Sequence, residues 1–152
     1  MIYLTTATEE DMLRILEIEQ ESISPPWTHG ALLSEIYRED SFFAAAFDGA
    51  GAQPSAHCLI GFVILRRVAD EGELFQIAID KTARRRGVAD MLMDAAFNYA
   101  SESGIRSVYL EVRKSNKAAI CLYKKHGFKS VRHRKNYFDS PVEDAIVMLR
   151  SF

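Results

Sequence analysis

Cysteine is scarce in this chain: there are two residues in 152, Cys58 and Cys121, and no C-x-x-C pair. That excludes a disulfide framework and points to a reducing, cytoplasmic setting. The four histidines are scattered without H-E-x-x-H or a related spacing, so no metal site is expected. No apolar run approaches membrane-spanning length, and the first residues lack the basic region and long apolar stretch of a signal peptide. An excess of one charge is also missing, since 19 basic and 21 acidic residues leave a net −2. Bulk charge therefore argues against a nucleic-acid or membrane partner, and any basic cluster must act locally. Neither the phosphate loop G-x-x-x-x-G-K-[ST] nor the dinucleotide fingerprint G-x-G-x-x-G occurs. Internal repeats, low-complexity tracts and linkers are absent too.

The length and the apolar content of 48% suit one globular domain, expected over residues 1–152. Ile2–Ala7 reads as a strand. Thr8 and Asp11 form a capping pair, and Met12, Ile15, Leu16 and Ile18 then follow helical spacing, predicting a helix over about 9–22. Pro25 and Pro26 end it, and Thr28 caps a second helix. Ser41–Phe47 reads as a strand and Asp48–His57 as a loop. The segments around Cys58–Val68 and Gly72–Ile79 read as antiparallel neighbours. Val88, Leu92, Ala95, Ala96 and Tyr99 share one helical face, with Gly104 as the left-handed stop. Along Ser107–Arg113, Val108, Leu110 and Val112 face one way while Tyr109, Glu111 and Arg113 face the other. Ser115 or Asn116 caps a further helix that Gly127 ends, and two strands close the chain. The order β-α-α-β-β-β-α-β-α-β-β predicts an α/β fold with a mixed sheet of about seven strands and about four flanking helices.

Arg84, Arg85, Arg86 and Gly87 interrupt the passage from strand to helix. They could form a solvated basic loop. They could instead hold a phosphate, because the start of a helix presents unpaired N–H groups and the positive end of its dipole, although the bare motif does not favour that reading. A glycine there lets the backbone approach an oxyanion closely.

The spacing Arg84-x-x-Gly87-x-Ala89 resembles the [Q/R]-x-x-G-x-[G/A] motif of the GNAT acyltransferase superfamily. Further along, "LEVRKSN", "LYKKHGF", "RKNYF" and "EDAIVMLR" resemble the RimI-type alanine N-acetyltransferases, as does the early "PPW". Gln76 stands where that group's pattern would place asparagine. The resemblance implies a GNAT fold and transfer of an acetyl group from acetyl-CoA to an amine, most plausibly the N-terminal α-amine of a ribosomal protein. Lysine, a small amine, or coenzyme binding without catalysis remain alternatives.

Direct transfer needs a proton acceptor for the amine and a donor for the departing thiolate. By resemblance Glu111 is the acceptor and Tyr123 the donor. Read from composition alone, they are a carboxylate on a wet strand face and a core aromatic. A phenol near ~10 and a thiol near ~8.5 differ by roughly 2 kcal/mol in proton affinity. The resemblance also assigns the coenzyme to the backbone of Ile77, Ala78 and Ile79, to Arg84, Arg85, Arg86, Gly87, Val88, Ala89 and Asp90, and to Asn116. Trp27 and Tyr137 are placed in the acceptor cleft. Cys121 is expected as a buried helix residue, and His126 is given no catalytic part.

Overall fold

The computed structural model describes residues 1–49 and 58–152, so most of the expected Asp48–His57 loop lies outside the described residues. The capping pair is present: the Thr8 N–H donates to the Asp11 carboxylate at 2.9 Å. A single 3-10 turn over Glu9–Asp11 comes first, and the α-helix α1 occupies Met12–Ser22. The Thr28 hydroxyl accepts from Ala31 N at 3.1 Å and opens α2, His29–Ile36. Gly104 and Gly127 take φ of +77° and +88°, as the stops of α3 (Val88–Glu102) and α4 (Lys117–Lys125) require.

Among the described residues seven strands build one sheet: β1 (Ile2–Thr6), β2 (Ser41–Asp48), β3 (Leu59–Val68), β4 (Glu71–Ile79), β5 (Ser107–Arg113), β6 (Lys129–Phe138) and β7 (Glu143–Ser151). Their order is β1-β2-β3-β4-β5-β7-β6, so the last strand slots between β5 and β6. Only β4 and β5 run parallel, joined by the α3 crossover. That pairing covers Glu71–Glu73 opposite Ser107–Tyr109 and then stops. From Leu74 onward β4 keeps its ladder with β3 but has none with β5, and the two strands splay apart. Phe75 is the extra residue of a bulge at this point, since Ile64 faces Gln76 while Leu65 faces Leu74. A bulge bends its strand and re-aims the side chains beyond it.

Two cores form on opposite faces of the sheet. Leu92, Met93, Ala96 and Ala100 of α3 pack on Val63, Leu65, Leu74 and Leu110, with Tyr123 of α4 against the same cluster. Met12, Ile15 and Ile18 of α1 and Leu32 of α2 cover Phe43, Phe47, Phe62 and Ile64 on the other face. On that second face α1 and α2 pack on β2, β3 and β4. The half built by β5, β7 and β6 presents Tyr109, Glu111 and Arg113 to a cleft. Cys121 is exposed, contrary to expectation. The inward side of α4 is taken by Ala119, Ile120, Leu122 and Tyr123, which leaves position 121 toward solvent.

Candidate active site

The helix after β4 begins at Gly87, whose φ of +78° is open to glycine and strained for other residues. Among the described residues no side chain caps this terminus, and a Cβ at Gly87 would meet nothing within 4 Å. The amides of Val88, Ala89 and Asp90 thus lie at an uncapped, 15-residue helix with free space before it. This is the setting that takes an oxyanion. The three arginines divide. Arg86 reaches back to Asp48 at 2.9 Å, whereas Arg84 and Arg85 are exposed and make no ion pair among the described residues. Asp90 does not aim its side chain at this terminus. Its carboxylate turns to α4 and holds Lys125 at 2.9 Å and His126 Nε2 at 2.7 Å, which keeps it below the usual carboxylate range.

From that terminus the gap between β4 and β5 leads inward past Ile77, Ala78 and Ile79. Their strand edge toward β5 is unpaired, so main-chain groups are available to an extended ligand as they would be to another strand. Such an uncapped helix end feeding a slot of free strand edge fits a long thioester carrier ending in a diphosphate. Asn116 is the cap of α4: its Oδ1 accepts from Ala119 N at 3.2 Å.

Glu111 lies on the cleft face of β5, opposite Val147 of β7. Its side chain is 15% exposed; Oε1 is 3.5 Å from the Arg134 guanidinium, and Oε2 is buried without a hydrogen-bond partner among the described residues. An orphan carboxylate oxygen in a cleft is costly unless something arrives to use it. Tyr137 stands alongside, and Arg134 stacks on its ring at 4.6 Å. The Glu111 carboxylate, as acceptor and as charge, pushes the Tyr137 phenol up. Tyr123 approaches from the other side of the sheet, packed edge-on against Phe128. Burial pushes its phenol up to about 12, so it stays protonated through the physiological range.

Trp27 lines a second hollow of ≈ 490 Å³ with Pro26, Ala31, Phe75 and Arg66. Its ring meets Phe75 edge-on at 5.4 Å, and its main-chain N–H donates to the buried Glu19 at 2.9 Å. Near Glu111 stands a pair that sequence reasoning missed. The Tyr109 hydroxyl donates to Glu73 at 2.8 Å, at the last rung before the strands part. Burial raises Glu73, and the neighbouring Glu111 adds to the rise. Alternation placed Tyr109 on the cleft face, but the register that sets Glu73 opposite it is a long-range property.

A slot between splayed parallel strands, an uncapped helix terminus at its mouth and a carboxylate on the open face define an acyl-transfer fold. The sequence signature of the acetyltransferase (GNAT) family matches residues 11–128, and the chain belongs to that family. It is 32% identical over 148 residues to the [ribosomal protein bS18]-alanine N-acetyltransferase of Haemophilus ducreyi, a match covering 95% of this chain and 97% of the relative. The enzyme of the same name from Haemophilus influenzae is 35% identical over 144 residues, covering 91% and 90%. Among solved structures, the ribosomal-protein-S18-alanine N-acetyltransferase of Escherichia coli superposes with a TM-score of 0.87 at 29% identity, covering 99% of this chain and 94% of that one.

Proposed function

We propose that residues 1–152 work as one acetyl-CoA-dependent N-acetyltransferase domain whose acceptor is the N-terminal α-amine of a protein, with alanine on a ribosomal protein as the leading candidate. The observation that carries this reading is the run from the uncapped α3 terminus through the β4–β5 gap to the cleft holding Glu111. The relatives named for bS18 alanine support the choice of acceptor. Free cysteines suit a cytoplasmic enzyme.

In this reading the amides of Gly87, Val88, Ala89 and Asp90 hold the diphosphate, and Arg84 and Arg85 add positive potential. Main-chain groups of Ile77–Ile79 align the carrier arm and polarise the thioester carbonyl, and Asn116 flanks the arm while it caps α4. Glu111 takes the proton of the amine through water. Tyr123 donates to the sulfur. With its phenol at about 12 and a thiol near ~8.5, complete proton transfer costs about 5 kcal/mol, so hydrogen-bond donation in the transition state is its main contribution. Trp27 and Tyr137 flank the incoming chain.

Chemistry ranks the acceptors. An α-amine of pKa ~7.7–8.0 is about 10–15% neutral at pH 7, whereas a lysine at ~10.4 is neutral about 0.04% of the time. One carboxylate acting through water serves the first far better. Incubation with acetyl-CoA and panels of N-terminal, lysine-containing and small-amine acceptors, followed by mass spectrometry, tests the reading. Acetylation confined to N-terminal α-amines supports it; failure to acetylate any of them overturns it.

A further inference from the structure

Two residues beyond Glu111, on the same face of β5, Arg113 faces Ala145 of β7 and is 15% exposed. Its guanidinium gathers main-chain carbonyls from two separate loops. Nε and Nη2 donate to Ser24 O at 3.2 and 3.0 Å, Nη2 to Asp139 O at 2.7 Å, and Nη1 to Pro141 O at 2.8 Å. Glu143 balances the charge at 3.3 Å, and the Phe138 ring lies beneath the guanidinium at 4.7 Å. Ser24 belongs to the α1–α2 loop that bears Trp27 three residues on. Asp139 and Pro141 belong to the β6–β7 turn, two and four residues after Tyr137. No backbone ladder joins these loops, since β6 is the far edge of the sheet.

We propose that Arg113 is a positioning residue that straps the two walls of the acceptor cleft together and fixes the spacing between Trp27 and Tyr137. The inference rests on the acceptor cleft assigned under the proposed function. A planar fork is needed for this task. Its five donors lie in a fixed plane and can serve carbonyls arriving from opposite sides, whereas an ammonium is a point charge on a flexible stem. Losing the strap releases both walls without touching Glu111, Tyr123 or the α3 terminus. The dependence should therefore fall on acceptor binding.

The test compares the full chain with Arg113→Lys and Arg113→Met. The acceptors are a hexapeptide with N-terminal alanine and alaninamide, which is too short to reach both walls. In Arg113→Met the KM for the hexapeptide should rise about tenfold, while kcat, the KM for acetyl-CoA and kcat/KM for alaninamide stay within about twofold. Arg113→Lys should restore part of the loss. In both variants, amide hydrogen exchange over residues 23–28 and 139–142 should quicken together. An unchanged hexapeptide KM, an equal loss on hexapeptide and alaninamide, or quickened exchange in neither loop overturns the strap. A wild-type chain that acetylates no α-amine would instead sink the acceptor reading, and the exchange measurement would then decide the strap by itself.

Discussion

At the scale of single residues, Glu111 and Tyr123 carry opposite burdens. Glu111 keeps one oxygen buried with no partner, a standing cost that makes sense where a water or amine completes the site. Replacing it with glutamine preserves size and removes the proton acceptor proposed for the reaction. Glu111→Gln should lower kcat/KM on an N-terminal peptide by about a hundredfold at neutral pH and leave acetyl-CoA affinity unchanged in calorimetry. A normal rate would remove Glu111 from catalysis. Tyr123 is held by packing, and burial is the cause of its raised pKa. Its hydroxyl gives the fold little, so Tyr123→Phe should hold or raise the melting temperature while kcat falls. A variant that melted early and turned over normally would return Tyr123 to the core and nothing more.

At the scale of elements, the loop after α1 hangs on Glu19. This fully buried carboxyl accepts the Trp27 N–H, keeps its other oxygen unpartnered, and lies beside the buried Gln76 of the β4 bulge. Burial raises its pKa above the ordinary carboxylate value. The neutral form is thus the one the fold prefers: stability from this group is present below the unfolded pKa and is lost as pH rises through the folded one. Glu19→Gln retains an acceptor for Trp27 without the charge and should unfold at higher urea than wild type at pH 7. Glu19→Ala should cost about 1–3 kcal/mol in the same urea titration, because it strands the Trp27 amide. How legible these elements were in the sequence follows the range of the forces involved. Helices, caps and strands stood out because Thr8–Asp11, Thr28, Gly104 and the alternation of Ser107–Arg113 act over a few residues. The insertion of β7 between β5 and β6, the bulge at Phe75 and the Glu73–Tyr109 rung depend on pairings between distant segments, and no local pattern encodes them. Alternation put Arg113 on the cleft side but could not show its partners, because loop carbonyls leave no side-chain signature. Asp90 was assigned to the coenzyme from its place in the motif, yet Lys125 and His126, 35 and 36 residues away, claim its carboxylate.

At the scale of the whole molecule, the sheet is opened by design between β4 and β5, and the two cores on either side must hold it open. A carrier that fills the gap and satisfies the α3 terminus binds the native state alone. Acetyl-CoA at a hundredfold over its Kd should stabilise the chain by about 2.7 kcal/mol, read as a shift of the thermal midpoint. Gly87→Ala, which forces φ of +78° on an L side chain, should lower the unliganded midpoint and blunt that shift. The hinge of the opening has its own pH limit. Tyr109, at the last rung, is pushed up to about 12 by burial and by the Glu73 carboxylate it donates to, and Tyr123 rises to about 12 by burial. Unfolded tyrosines ionise near ~10. Between those values the unfolded chain sheds protons that the native chain keeps, so the native state binds more protons and stability falls as pH rises. Below about pH 10 the contribution is intact, and by about pH 12 it is gone. Urea midpoints should therefore be flat from pH 8 to about 9.5 and then drop steeply. Tyr123→Phe should make the drop shallower. A drop as steep in Tyr109→Phe and Tyr123→Phe as in wild type would show that neither hydroxyl is held as the structure places it.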